Sequence, residues 1–225
     1  WGPEPFVPAN AAPGPRAPLR LLFSKEYAGR TAMLWVLQIF QTIGYYGFGT
    51  IVPMVLAAKG FSVVTSLTYR SLAFIGYPIG SALSLLVVER VARKWLIVAS
   101  AFLMAAFGLG LGYASDGGLI VALGVSYTIA SNIFSNAFHV FQAEIFPTFA
   151  RATAAGTAYG LSRLSSAAMP FVLLPVLAIY GPGVMFGVIG LAMLIVMLDI
   201  GLFAPCTTGR ALEELSRVPR AADLP

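Results

Sequence analysis

AEIFPTFARATAAG, residues 143–156, ends one long apolar run and begins another, and it sets Glu144, Pro147 and Arg151 in the interval between them. Proline lacks the backbone donor and disfavours helical geometry in the residue before it, so Phe146 and Pro147 end the first run and turn the chain. Ala152, Ala154, Ala155, Gly156 and Ala158 follow. A run of such small side chains lets a helix approach its neighbours closely, which helix packing inside a bilayer often requires.

The rest of the chain explains why two apolar runs meet at a charged turn. Of 225 residues, 58% are hydrophobic and only 10% charged, with a mean hydropathy of +0.84. That composition places the chain in a lipid bilayer and outside the range of soluble domains. One cysteine, Cys206, excludes an intramolecular disulfide, and one cysteine with one histidine, His139, supplies no four-ligand zinc site. No metal and no cofactor is expected. The formal charge of +5 is spread in ones to threes between apolar runs, which argues for membrane topology and against a nucleic-acid partner. Neither G-x-S-x-G nor H-E-x-x-H occurs, and the lone histidine has no nucleophile at matching depth, so no enzyme is expected.

Crossing about 30 Å of hydrocarbon takes about 20 helical residues. Six runs qualify, at 31–58, 66–88, 95–114, 118–143, 152–177 and 183–204. The predicted fold is therefore all-α and polytopic: a Pro/Gly-rich cytosolic linker over 1–30, a six-helix transmembrane domain over 31–204 and a cytosolic tail over 205–225. The opening residues show no signal-peptide pattern, and the chain reads as cut from something longer. Basic residues set the orientation, because they are retained on the cytoplasmic side. With the N-terminus inside, Arg16, Arg20, Lys25, Arg30, Arg90, Arg93, Lys94, Arg151, Arg210, Arg217 and Arg220 face the cytoplasm, against Lys59 alone outside. Both termini of this multi-pass membrane protein are expected in the cytoplasm. Glu144 and Arg151 then lie at the inner boundary as a latch, pairing with each other or with the bases of ERVARK, residues 89–94, in which Glu89, Arg90 and Arg93 complete the candidate set.

These stretches resemble, together with TTGRALEEL at 207–215 and LQIFQ at 37–41, the carboxyl-terminal six-helix half of a major facilitator superfamily transporter of the sugar porter and metabolite:proton symporter group. The resemblance implies a bundle of two inverted three-helix repeats, alternating access, and a missing N-terminal six-helix half as partner. APCTTGR, residues 204–210, lacks the Glu and Lys of the sugar porters' tail, and Thr42 stands where their second adjacent Gln is expected. Arg163, in YGLSRLSSAAMP, resembles the arginine of symporters that carry organic anions with protons. The implied function is secondary active transport of a small polar metabolite, an organic acid moved with protons; a sugar porter half, or a non-transporting fragment or partner subunit, stays open.

Residue chemistry points to similar positions. An ionised side chain at the bilayer centre costs at least about 2.5 to 3.5 kcal/mol, so one that persists there faces a partner or a wet cavity. Arg163 is such a charge: either an anion site or a structural partner of Asp199 or Glu144. Arg70 sits closer to its span's end, where it can snorkel to water. Asn132, Asn136 and His139 recur at i, i+4 and i+7 and share one helical face, predicted to line the cavity. Imidazole exchanges protons near neutral pH, which makes His139 a proton-coupling candidate beside Asp199, although a solvated histidine near the cytoplasmic end is the plainer reading. Gln38, Gln41 and Tyr45 share a face of the first span among Gly44, Gly47, Gly49 and Pro53, either a cavity wall or a helix seam.

Overall fold

A computed structural model of the chain describes residues 19–25, 27–88 and 90–205. Their regular structure is helical throughout: α1 (Leu19–Leu22), α2 (Ala28–Ala58), α3 (Val63–Ala73), α4 (Gly76–Val88), α5 (Arg93–Tyr113), α6 (Gly117–Glu144) and α7 (Thr148–Phe203). Among the described residues, Val63–Val88, Arg93–Tyr113, Gly117–Glu144 and Ala150–Phe203 are long and apolar enough to cross a bilayer. The last contains two crossings, because Gly181 adopts φ 81°, ψ 179° and splits α7 into two arms. A residue with a Cβ adopts that backbone only under strain, so glycine is what permits the turn. α2, with 31 residues, is about 46 Å long and completes six crossings.

Successive crossings alternate in direction. α2 runs from an end that carries Arg30, Arg93, Lys94, Glu144 and Arg151, here the charged end, to an opposite end that carries Lys59 and Asp116. α6 begins at that opposite end, so the triplet from Gly117 onward runs in the reverse sense to the triplet before it. This is the inverted repeat that the resemblance implies. Turn chemistry closes the loops: Ser62 caps α3 by accepting from Thr65 N at 3.1 Å, and Asp116 caps α6 by accepting from Leu119 N at 2.9 Å.

α2 packs along α7, α5 lies between α6 and α7, and α6 also carries α3 and α4 on its flank. Buried Leu34, Leu37, Ile97, Met104, Phe134 and Met193 fill the space between them. The second crossing, read from the sequence as 66–88, begins at Val63 and breaks at Phe74 and Ile75. The Ala73 carbonyl beside the break accepts the Thr128 hydroxyl at 2.6 Å, so the neighbouring helix satisfies it. Below the break, Gly76, Gly80 and Ser84 form a buried small-residue seam against α6. Helical structure also begins before residue 31: Leu22 and Tyr27 are buried, and Thr31 Oγ1 donates to Leu22 O at 2.9 Å. Residues 1–18, Glu89 and the tail from Cys206 lie outside the described residues.

Candidate functional site

Three helices meet around one polar hollow of about 230 Å³. α2 gives it Gln41 and Tyr45, α6 gives Ser135, Phe138 and His139, and the first arm of α7 gives Tyr159, Ser162 and Arg163. Each helix thus contributes an i, i+4 pair, one helical turn seen from the same side. The structure therefore gathers Gln41, Tyr45, His139 and Arg163 from three separate stretches. The seam between α2 and α7 is polar as well: Thr42 and Ser162 hydroxyls lie 2.9 Å apart, Ser165 Oγ donates to Ile39 O at 2.8 Å, and Trp35 Nε1 to Thr157 Oγ1 at 3.4 Å.

His139 is held at both ring nitrogens. Nδ1 lies 2.6 Å from Ser135 O, and a carbonyl only accepts, so Nδ1 carries a proton. Nε2 lies 2.6 Å from the Tyr159 hydroxyl, which donates to it when the ring is neutral and accepts from it when the ring is charged. On its far side His139 also lines a hollow of about 400 Å³ between α4 and α6, with Ser81, Ser84 and Asn136.

The remaining sequence candidates go elsewhere. Asn136 turns toward α4, its Nδ2 donating to Ser84 Oγ at 2.7 Å and to Asn132 Oδ1 at 3.1 Å. Gln38 is fully buried and bonds both Gln41 and Gln142. Asp199 is buried on the second arm of α7, and its Oδ2 has no hydrogen-bond partner among the described residues. Glu144 is engaged with Arg93. Arg70 sits on α3 with its guanidinium 5.3 Å from the Phe74 ring, a cation–π distance.

Sequence reasoning missed Ser135, Tyr159, Ser162 and Gln142. A partial signal existed, since Tyr159 is one turn before Arg163, Ser135 one turn before His139 and Gln142 one turn after it. What no spacing shows is that these turns face each other across helices.

At the charged end, Arg93 Nε meets Glu144 Oε1 at 3.2 Å. Arg30 Nη1 donates to Ile145 O at 3.0 Å, just past the end of α6, and Lys94 Nζ donates to Ala204 O at 2.9 Å, just past the end of α7. A cation at a helix C-terminus meets the unpaired carbonyls and the negative end of the dipole, so each contact also caps a helix. Arg90 is exposed on the turn between α4 and α5.

A six-helix half-bundle in inverted triplets, with a polar hollow on one flank and an ion pair at one end, is the architecture of a major facilitator membrane transport protein. The chain belongs to the sugar (and other) transporter family, whose model matches residues 10–218. It is 34% identical over 167 residues to YyaJ of Bacillus subtilis (strain 168), named for metabolite transport, covering 71% of this chain and 37% of that one. It is 26% identical over 197 residues to the niacin transporter NiaP of Acinetobacter baylyi (strain ATCC 33305 / BD413 / ADP1), covering 87% and 45%. Among solved structures, a double tryptophan variant of XylE superposes with a TM-score of 0.69 at 23% identity, covering 84% of this chain and 42% of that one. The peptide transporter POT in complex with alafosfalin also gives 0.69, at 13% identity, covering 80% and 39%. Those two likenesses concern the fold. The chain spans about half or less of the length of the relatives it matches.

Proposed function

We propose that this unit is the C-terminal half of a secondary active transporter that moves a small organic anion with protons by alternating access, its charged end facing the cytoplasm. The observation that carries the reading is Arg163, on the first arm of α7, at the wall of a hollow shared with Gln41, Tyr45, His139 and Tyr159. A guanidinium inside a membrane-spanning helix pair is a fitting counter-charge for a carboxylate, which it binds with two parallel hydrogen bonds. The hollow opens on a flank that an N-terminal six-helix half would cover, leaving the solute between the halves. His139 and Tyr159 are the groups placed to pass a proton, and Asp199 is a second carrier candidate. Glu144, Arg93, Arg90, Glu89 and Arg151 form the cytoplasmic latch, and the segments 1–30 and 205–225 are its cytosolic flanks.

Equilibrium binding of monocarboxylates and neutral sugars by the protein expressed from its own gene tests this. Arg163→Gln is expected to weaken carboxylate binding on the order of tenfold to a hundredfold, with Arg163→Lys in between because it keeps the charge but loses the fork. Unchanged carboxylate affinity in folded Arg163→Gln sinks the anion reading and favours a sugar, for which the Gln41 amide is the natural contact. A parental protein that binds neither class overturns both the anion and the sugar reading.

A further inference from the structure

Two hollows flank His139 at one depth. The one that holds Arg163 takes Ser135, Phe138 and His139 from α6, and the one between α4 and α6, of about 400 Å³, takes Asn136, His139 and Val140. The two sets are offset by a single residue, about 1.5 Å of helix rise, so the hollows lie side by side across α6. His139 is exposed, so its ring is a ridge between them and not a wall. Its nitrogens, engaged with Ser135 O and the Tyr159 hydroxyl, hold that ridge in place. An exposed imidazole, an exposed hydroxyl at Ser81 and a half-buried amide at Asn136 on one flank belong to a wetted surface, because lipid leaves such groups unsatisfied.

The second hollow differs from the first in its chemistry. Among its described lining residues none is Arg or Lys, and both ring nitrogens of His139 are engaged, so no described group there is placed to take a second carboxylate. What it offers is neutral. The Asn136 amide spends one end on Ser84 Oγ at 2.7 Å and on Asn132 Oδ1 at 3.1 Å. Whichever way round the amide stands, its other end remains for the hollow, beside the Ser81 hydroxyl, which both donates and accepts. Leu85, Val88 and Val140 supply apolar walls for carbon. We propose that this hollow is a second solute subsite, which takes the neutral, hydroxylated end of a monocarboxylate whose charged end lies on Arg163. The site then selects hydroxy monocarboxylates long enough to reach past His139. The proposal rests on the organic-anion reading and adds the far end of the solute to it.

The test compares equilibrium binding of four acids to the protein expressed from its own gene: glycolate, hexanoate, gluconate and the dicarboxylate glucarate. Gluconate is expected to bind at least about tenfold tighter than glycolate, which is too short to pass His139, and about three- to tenfold tighter than hexanoate, which lacks the hydroxyls. Glucarate should bind at least about tenfold more weakly than gluconate, since its second charge lands where no described cation meets it. Leu85 is 75% exposed, so Leu85→Trp fills the hollow from a position that tolerates bulk. It should bring gluconate to within about threefold of glycolate. Ser81→Ala should cut gluconate's advantage over hexanoate by about threefold, the loss of one neutral hydrogen bond. A merely structural role for either residue would weaken all the acids alike. A parent that binds gluconate no tighter than glycolate or hexanoate, a glucarate that matches gluconate, or variants that keep gluconate's advantage overturn the second subsite, while Arg163→Gln still reports on the anion reading. If no acid binds the parent, the anion reading fails and the subsite falls with it.

Discussion

Arg93 Nε stands 3.2 Å from Glu144 Oε1, which ties the first residue of α5 to the last residue of α6. Of the pairings open to Glu144 from sequence alone, the fold takes the one across helices and leaves Arg151, one turn into α7, with a buried Nε that bonds no described residue. Both partners of the pair are 20% exposed, shielded enough for the charge to matter and wet enough to break and remake. An ion pair joining two triplets is a contact that a rocking motion between triplets would have to open.

Reversing one charge, Arg93→Glu or Glu144→Arg, should slow solute cycling at least about tenfold, while the double reversal restores most of the rate because the pair is rebuilt with opposite sign. Solute affinity in the competent conformation should change little, since the hollow contains neither residue. Transport rates for the four proteins decide it: two slow singles and an equally slow double would show that something other than the pair limits the rate.

Proton coupling through His139 predicts a split between two assays. Tyr159→Phe removes the partner 2.6 Å from Nε2, so uptake driven by a proton gradient should fall at least about tenfold, as removal of one positioned proton-transfer group does. Exchange of internal for external solute, which needs no net proton movement, should persist. Equal loss of both activities would assign the pair to solute binding or packing.

Packing sets a different expectation for two glycines. A Cβ at Gly80 would lie 2.8 Å from Ile129 O and 2.9 Å from the Asn132 Cβ, whereas one at Gly156 would meet nothing within 4 Å. Gly80→Ala should therefore destabilise the bundle by about 1 to 3 kcal/mol through forced separation of α4 and α6. Gly156→Ala should be neutral or stabilising by up to about 1 kcal/mol from helix propensity. Thermal unfolding in detergent compares them, and equal midpoints would refute the close seam.

Lys59 Nζ donates to Leu111 O at 2.9 Å and to Ala114 O at 2.6 Å, closing the end of α5 from the end of α2. Lys59→Met keeps the apolar stem and loses both bonds, so stability should drop by about 1 to 3 kcal/mol. Lys59→Arg should recover part of it. A parental unfolding temperature for Lys59→Met would reduce the contact to a surface ornament.

Orientation rests on charge counting and is checked at Cys206, which lies outside the described residues. A membrane-impermeant maleimide should leave it unlabelled in intact cells and label it once the membrane is opened. Labelling from outside would invert the topology.

Composition and period alone determined that this chain crosses a bilayer as helices, where those helices lie, and which end collects the bases. Such features follow from one helix at a time: a span needs only enough apolar residues, and Pro147 or Gly181 ends one by its own backbone. The candidate site was legible only as separate faces, with Gln41, His139 and Arg163 each marked by polarity in an apolar run. Tertiary structure decided which faces meet. It sent Asn132 and Asn136 to the seam with Ser84, put Tyr159 on His139, broke the second crossing at Phe74 against Thr128, and hydrogen-bonded Gln142, Gln38 and Gln41 into one chain. The physical reason is that a hydrogen bond inside the bilayer is set by which side chain lies within about 3 Å on another helix, and rotation of a helix about its axis leaves no trace in its own spacing.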